Sequence, residues 1–176
     1  MRNSLVLLTD AVALLAISMG GALLLNLASA AAQNPSESPY VIAAHRAGVP
    51  LELLVAVVGA ESSYHPWALN IKGREVYCQS RREAQHLLAT SDNVDIGLMQ
   101  INWLFWGPRL KVRKEDLLDP TTNLIYGAGI LKECLKREGS IWRRIGNYHS
   151  SKAKEQAHYN NKVYSAYLRY LHGQLQ

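Results

Sequence analysis

The 176-residue chain is poor in cysteine, with only Cys78 and Cys134. Two thiols so far apart are too few for a structural zinc site. The six histidines (His45, His65, His86, His149, His158 and His172) include no H-E-x-x-H or comparable pairing, so neither a metal nor another cofactor is expected. No Lys/Arg-rich block with interleaved aromatics accompanies the net charge of +5, which argues against nucleic acid as a partner. A modest basic balance fits attraction to an anionic polymer such as a bacterial cell wall. Internal repeats and low-complexity tracts are also missing.

Charge is nearly absent from the N-terminal stretch. Between Ser4 and Ala32 only Asp10 is charged, and the stretch closes in Ala28, Ser29, Ala30, Ala31 and Ala32. Residues 1–32 therefore read as a signal peptide. The alternative is an uncleaved membrane anchor, because Ala11 to Leu27 approaches the roughly 18 residues needed to span a bilayer. Arg2 and Asp10 cancel, so the remainder keeps the full basic balance. Residues 33–39 (QNPSESP) form a polar leader, and residues 40–176 are long enough for one domain with a real core. In an oxidising compartment the two cysteines most simply form one disulfide, Cys78 to Cys134.

The domain is organised around Leu51 to Tyr64, LELLVAVVGAESSY. Periodicity alone does not separate a buried helix from a buried strand here, but Pro50 and a run of about a dozen residues favour the helix. On a helix, Val58, Val57 and Leu54 share the face of Glu61. A carboxyl at the end of an apolar stripe has a raised pKa and can donate a proton near neutral pH, as a glycosidic general acid must. The competing reading is a helix-end Glu paired with an Arg from elsewhere.

Around this helix the punctuation predicts a mainly α domain. Ser38, Pro39 and Gly48 frame a helix over 40–47, and Trp67 to Tyr77 reads as a small hairpin turning at Lys72-Gly73, the one β-like part. Ser80-Arg81-Arg82-Glu83 matches a capping box for a helix through about Ala89. The stretch Val94 to Trp106 places Gln100 and Asn102 among apolar and aromatic neighbours, so each amide needs a partner, and Trp103, Phe105 and Trp106 are expected in the core. Asp119-Pro120 opens a helix from about Asn123 to Glu138, within which Gly127 and Gly129 suggest close approach by another backbone. Ser140 caps a segment over 141–146, residues 147–151 form a polar corner, and a final helix runs from Ala153 to Leu171 with Tyr159, Tyr164, Tyr167 and Tyr170 along it.

Taken together, Glu61-Ser62-Ser63 at the end of a buried helix, Gly97-Leu98-Met99-Gln100, Asp119-Pro120, Asn123-Leu124 and Gly127-Ala128 resemble the lytic transglycosylases, lysozyme-like enzymes that cut peptidoglycan. The hairpin and the Ile145-Gly146-Asn147-Tyr148-His149-Ser150 corner are most similar to the small periplasmic transglycosylases of conjugation, type III and type IV secretion, and pilus systems. The resemblance covers 40–171. It implies a lysozyme-like fold, periplasmic location, peptidoglycan glycan strands as substrate, and a secretion, conjugation or pilus machine as partner, with the enzyme acting as a monomer.

The resemblance further implies Glu61 as catalytic acid and base, with Ser62, Met99, Gln100, Tyr148 and His149 against the substrate. His149 replaces the usual Asn, and Ser150-Ser151 replace Ala-Gly. Thr121 stands where related secretion enzymes often have a cysteine, which leaves Cys134 to find Cys78. Asp95 carries the alternative, a hydrolytic muramidase in which it activates water; its competing role is a helix cap for a segment starting at Ile96. A non-catalytic wall-binding scaffold is a third reading.

Overall fold

The structure is a computed structural model that describes residues 37–174. The expected signal peptide over 1–32, and all of the leader before residue 37, lie outside the described residues. Helix α1 (Pro39–Ala47) ends on Gly48, whose φ of 67° places it in the left-handed region that closes a helix. Pro50 then stands as N-cap to α2 (Leu51–Ser62). Leu54, Ala56, Val57 and Val58 have no exposed surface, so the apolar run of the sequence is the buried centre of the domain.

Four short strands follow the order β2-β1-β3-β4, all antiparallel: β1 (Ala68–Ile71), β2 (Arg74–Tyr77), β3 (Val94–Ile96) and β4 (Ile101–Asn102). The hairpin turns on Lys72 (φ 53°) and Gly73 (φ 86°), the two positive-φ residues that a tight two-residue turn requires. The predicted hairpin is thus half of the sheet. Strands β3 and β4, of three and two residues, are too short to carry a period-2 signal.

Between β1 and β3 lies α3 (Arg81–Leu88), capped by Ser80, whose Oγ accepts from the Glu83 N–H at 3.2 Å. Glu83 in turn accepts from the N–H of Gln79 rather than that of Ser80, a capping box stretched by one residue. After β4 come α4 (Trp103–Trp106), two 3₁₀ turns, and α5 (Pro120–Leu135), whose N-cap Asp119 accepts from the Thr122 N–H at 2.8 Å. Helix α6 (Ile141–His149) starts on Ser140 and runs through what the sequence suggested was a polar corner. Helix α7 (Ala153–Gln174) packs on α2, and α1 packs on α5.

Both cysteines are buried and free, so the expected Cys78–Cys134 disulfide is not formed. Their charged neighbours differ: Glu83 beside Cys78, Arg137 and Glu133 beside Cys134. The two glycines of α5 also divide. A Cβ on Gly127 would stand 2.4 Å from the Met99 side chain, whereas one on Gly129 would meet nothing within 4 Å. Only the first glycine is required by packing, and it receives a side chain rather than a backbone.

Candidate active site

The turn joining β3 to β4 is Gly97-Leu98-Met99-Gln100. Gly97 (φ 75°) admits no side chain, because its Cβ would fall 2.4 Å from Asn123 Nδ2. Asn123, fully buried on α5, donates to the carbonyls of Ile96 and Leu117 at 2.9 Å each and accepts from the Met99 N–H at 2.8 Å. Gln100 is held with φ at 43°, and its Nε2 donates to the carbonyls of Ala68 and Gly97. One buried amide therefore fixes a turn that carries another amide to the edge of a cleft.

That cleft has a volume of about 650 Å³. The sheet forms one wall with Asn70, Glu75, Asp95 and Asn102; Cys134 of α5, Arg137 just beyond it, and Asn147, Tyr148 and His149 of α6 form the other, with Lys162 of the final helix also lining the cleft. Glu61 lies among them, half-buried, at the last turn of α2. Its Oε1 accepts a 2.6 Å hydrogen bond from the Tyr159 hydroxyl. Burial pushes the Glu61 carboxyl up to about 7, against the lowering effects of Tyr159 and the Lys162 charge and with a smaller upward push from Asp95. Tyr159 is itself buried, and burial first, then the Glu61 charge, pushes its phenol well above its ordinary value, so it remains a donor. The His149 ring stacks on Tyr159, centroids 4.8 Å apart and planes 7° from parallel.

The remaining expected residues separate into those at the cleft and those beneath it. Gln100, Tyr148, His149 and Asp95 line it. Tyr148 reaches Glu61 through no hydrogen bond; its hydroxyl donates to the Met99 carbonyl at 2.8 Å, tying α6 to the Gly97 turn. Ser62 and Met99 do not meet the cleft. Ser62 is fully buried with its Oγ donating to the Val58 carbonyl one turn back, and Met99 is fully buried beside Gly127. A residue adjacent to Glu61 on a helix necessarily faces away from it.

Asp95 is on β3 and caps no helix. Its Oδ1 accepts from Asn102 Nδ2 at 2.7 Å, and Asn102 is the actual cap, accepting from the Phe105 N–H. Burial raises the Asp95 carboxyl, opposed by Asn102 and the His149 charge. Of the α4 aromatics expected in the core, Trp103 and Trp106 are partly buried and pack against it, whereas Phe105 is 54% exposed; Phe105 and Trp106 line the cleft.

Among the site residues to which sequence reasoning gave no role at the site are Tyr159, Lys162 and Asn123, the last cited there only as part of a motif. Tyr159 was one of several tyrosines on a helix whose inward face had no marker. Asn123 had a signal, an amide one turn after a capped helix start. The arrangement as a whole can protonate a leaving oxygen and take the proton back, with one carboxyl poised near neutrality beside a fixed hydroxyl donor.

A sequence model of the family described as Transglycosylase SLT domain matches residues 39–170. Among curated proteins the chain is similar to "Protein IpgF" of Shigella sonnei, 28% identical over 135 residues, covering 72% of this chain and 77% of that one. It is also similar to "Invasion protein IagB" of Salmonella typhimurium, 30% identical over 126 residues, covering 67% and 68% respectively. No solved structure matches the chain significantly.

Proposed function

The chain belongs to the transglycosylase SLT family of lytic transglycosylases, and from this we propose that it cuts the MurNAc–GlcNAc β-1,4 bond of peptidoglycan and leaves a 1,6-anhydro end. Glu61 gives its proton to the bridging oxygen as the bond to the anomeric carbon breaks through an oxocarbenium-like transition state. The substrate's own N-acetyl group assists at that carbon. The Glu61 carboxylate then takes the proton of the C6 hydroxyl, whose oxygen closes the ring, so no water enters. Tyr159 holds the carboxyl in place through both proton transfers.

The observation that carries this reading is the Glu61 carboxyl, raised to about 7 inside the cleft and bonded to Tyr159. Digestion of purified peptidoglycan by the wild type beside Glu61→Gln, with products resolved by mass, tests it. Anhydro-muropeptides from the wild type alone are expected; anhydro products from both proteins would remove Glu61 from the mechanism. The place of Asp95 on the cleft wall favours a second reading, hydrolysis with Asp95 activating water, and reducing-end products would select it. We also propose that the protein is exported and opens the wall locally for a secretion, conjugation or pilus apparatus, a role supported by the similarity to IagB, which is named an invasion protein.

A further inference from the structure

Helices α6 and α7 meet at Gly146, where a Cβ would fall 2.7 Å from the Gln156 side chain. Gln156 fastens the end of α6 in return: its Nε2 donates to Asn147 Oδ1 at 3.1 Å and to the Ser150 carbonyl at 2.9 Å. This junction holds His149, the last residue of α6, against Tyr159 of α7. Their ring centroids lie 4.8 Å apart with the planes 7° from parallel, a stacked arrangement.

His149 contributes no hydrogen bond from its ring. The bonds around it join Ser150 to Glu155, and Gln156 to Asn147, and leave the imidazole out. The charged groups facing it are Asp95 of β3 and Glu155 of α7, whose ionised forms the His149 charge favours. Neither bonds it: Asp95 accepts from Asn102, and Glu155 from Ser150 and Lys152. An exposed ring at the cleft is thus laid flat on the residue that donates to Glu61.

The stack bears on the direction of that donated hydrogen bond. Rotation of a tyrosine about its terminal torsion is soft. The phenol oxygen lies on the rotation axis and stays in place as the ring turns, whereas the O–H proton, conjugated with the ring, stays in the ring plane. A contact at the tip therefore fixes the oxygen, and the plane decides where the proton points. Tyr159 has its hydroxyl on Glu61 Oε1 at 2.6 Å and its ring face on His149.

We propose that His149 is a positioning residue: its imidazole fixes the plane of the Tyr159 phenol and so aims the hydroxyl at Glu61, acting on the reaction through Tyr159 and not by contact with substrate. The Asn usual at this position in related enzymes has no ring to lay there. The role rests on reading Glu61 as the acid, and one arm of its test does not depend on cleavage.

The test uses the full chain labelled with tyrosine carrying ¹³C at Cζ, the Tyr159 resonance being the one that Tyr159→Phe removes. In the wild type that resonance should move as Glu61 ionises around pH 7, because the hydroxyl donates to the carboxyl. The movement should shrink in His149→Ala and His149→Asn and return in His149→Phe, which keeps a flat ring. On peptidoglycan, kcat should fall roughly two- to tenfold in the Ala and Asn variants at unchanged KM, the range of an aromatic pair, and His149→Phe should recover most of the loss. In the Tyr159→Phe background, His149→Ala should lower kcat no further. A Tyr159 response or a kcat indifferent to His149→Ala, a Phe variant that behaves like Ala, a rise in KM with kcat kept, or losses that add across the two positions would each overturn the proposal. A wild type that does not cleave would defeat the assignment of Glu61 instead, with the tyrosine resonance still deciding His149.

Discussion

The two walls of the cleft are built on opposite plans. On the helical side the groups nearest the chemistry are tied down, Glu61 by Tyr159 and Tyr148 by the Met99 carbonyl, and Asn123 of α5 reaches across to hold the β3–β4 turn by three hydrogen bonds. On the sheet side Asp95 and Asn102 bond each other, whereas Glu75 is exposed and Asn70 makes no side-chain hydrogen bond among the described residues. Fixed groups suit the reacting atoms, where a proton must move along one line, and uncommitted groups suit contacts that a ligand completes. The difference teaches that preorganisation in this fold is concentrated where helices meet.

The comparison breaks most severely at Glu61. Glu61→Gln should lower the rate of peptidoglycan cleavage by about 10² to 10⁴, the usual contribution of a positioned general acid, read as loss of kcat with the fold intact by circular dichroism. Asn123→Ala strikes the tied wall next. It strands the Met99 N–H and two carbonyls in the core, and a loss on the order of 3 kcal/mol is expected in denaturant unfolding. A loss below the error of the measurement would show that the turn holds itself.

The pH dependence of stability gives a third test. The Glu61 pKa is raised in the folded state, from an ordinary 4.5 to about 7, so its contribution is fully present below about pH 4.5 and is lost as pH rises through 7. Glu61→Gln cannot ionise and escapes that loss. The variant should match the wild type at pH 4 and exceed it by about 3 kcal/mol at pH 8. Parallel curves at all pH values would place the carboxyl in water. The smallest effect belongs to Tyr159→Phe. The hydroxyl favours the ionised form of Glu61, so its removal should move the alkaline limb of kcat/KM above 7 and slow cleavage by roughly tenfold.

The order of these effects tracks how much of each feature was legible in the sequence. The apolar run around Leu54 and Val57, and Glu61 at its end, could be read because a buried helix writes its face in consecutive residues. Caps at Ser80, Asp119 and Ser140 were legible for the same reason, since capping depends on residues within one turn. What escaped was long-range. Tyr159 lies 98 residues from its partner Glu61, and nothing local distinguishes it from Tyr164 or Tyr167.

Strands β3 and β4 hid in a stretch of Gly, Asn and aromatics, so Asp95 looked like a helix cap when it is a strand residue held by Asn102. Ser62 and Met99 were expected at the cleft through motif membership, and helix geometry and the Gly127 contact bury them. Cysteine counting suggested a bond that the packing of two separate sites does not make. The polar composition at Asn147-Tyr148-His149 concealed a helix whose inward residues are Ile145 and Gly146.

The account stands on one protonation equilibrium, and the direct measurement is a ¹³C NMR titration of glutamate side-chain carboxyls, assigned by the resonance that Glu61→Gln removes. A midpoint near 7 for that resonance is the predicted result. A midpoint at the ordinary carboxylate value near 4.5 would contradict it, because the carboxyl would then be ionised at neutral pH with no proton to give.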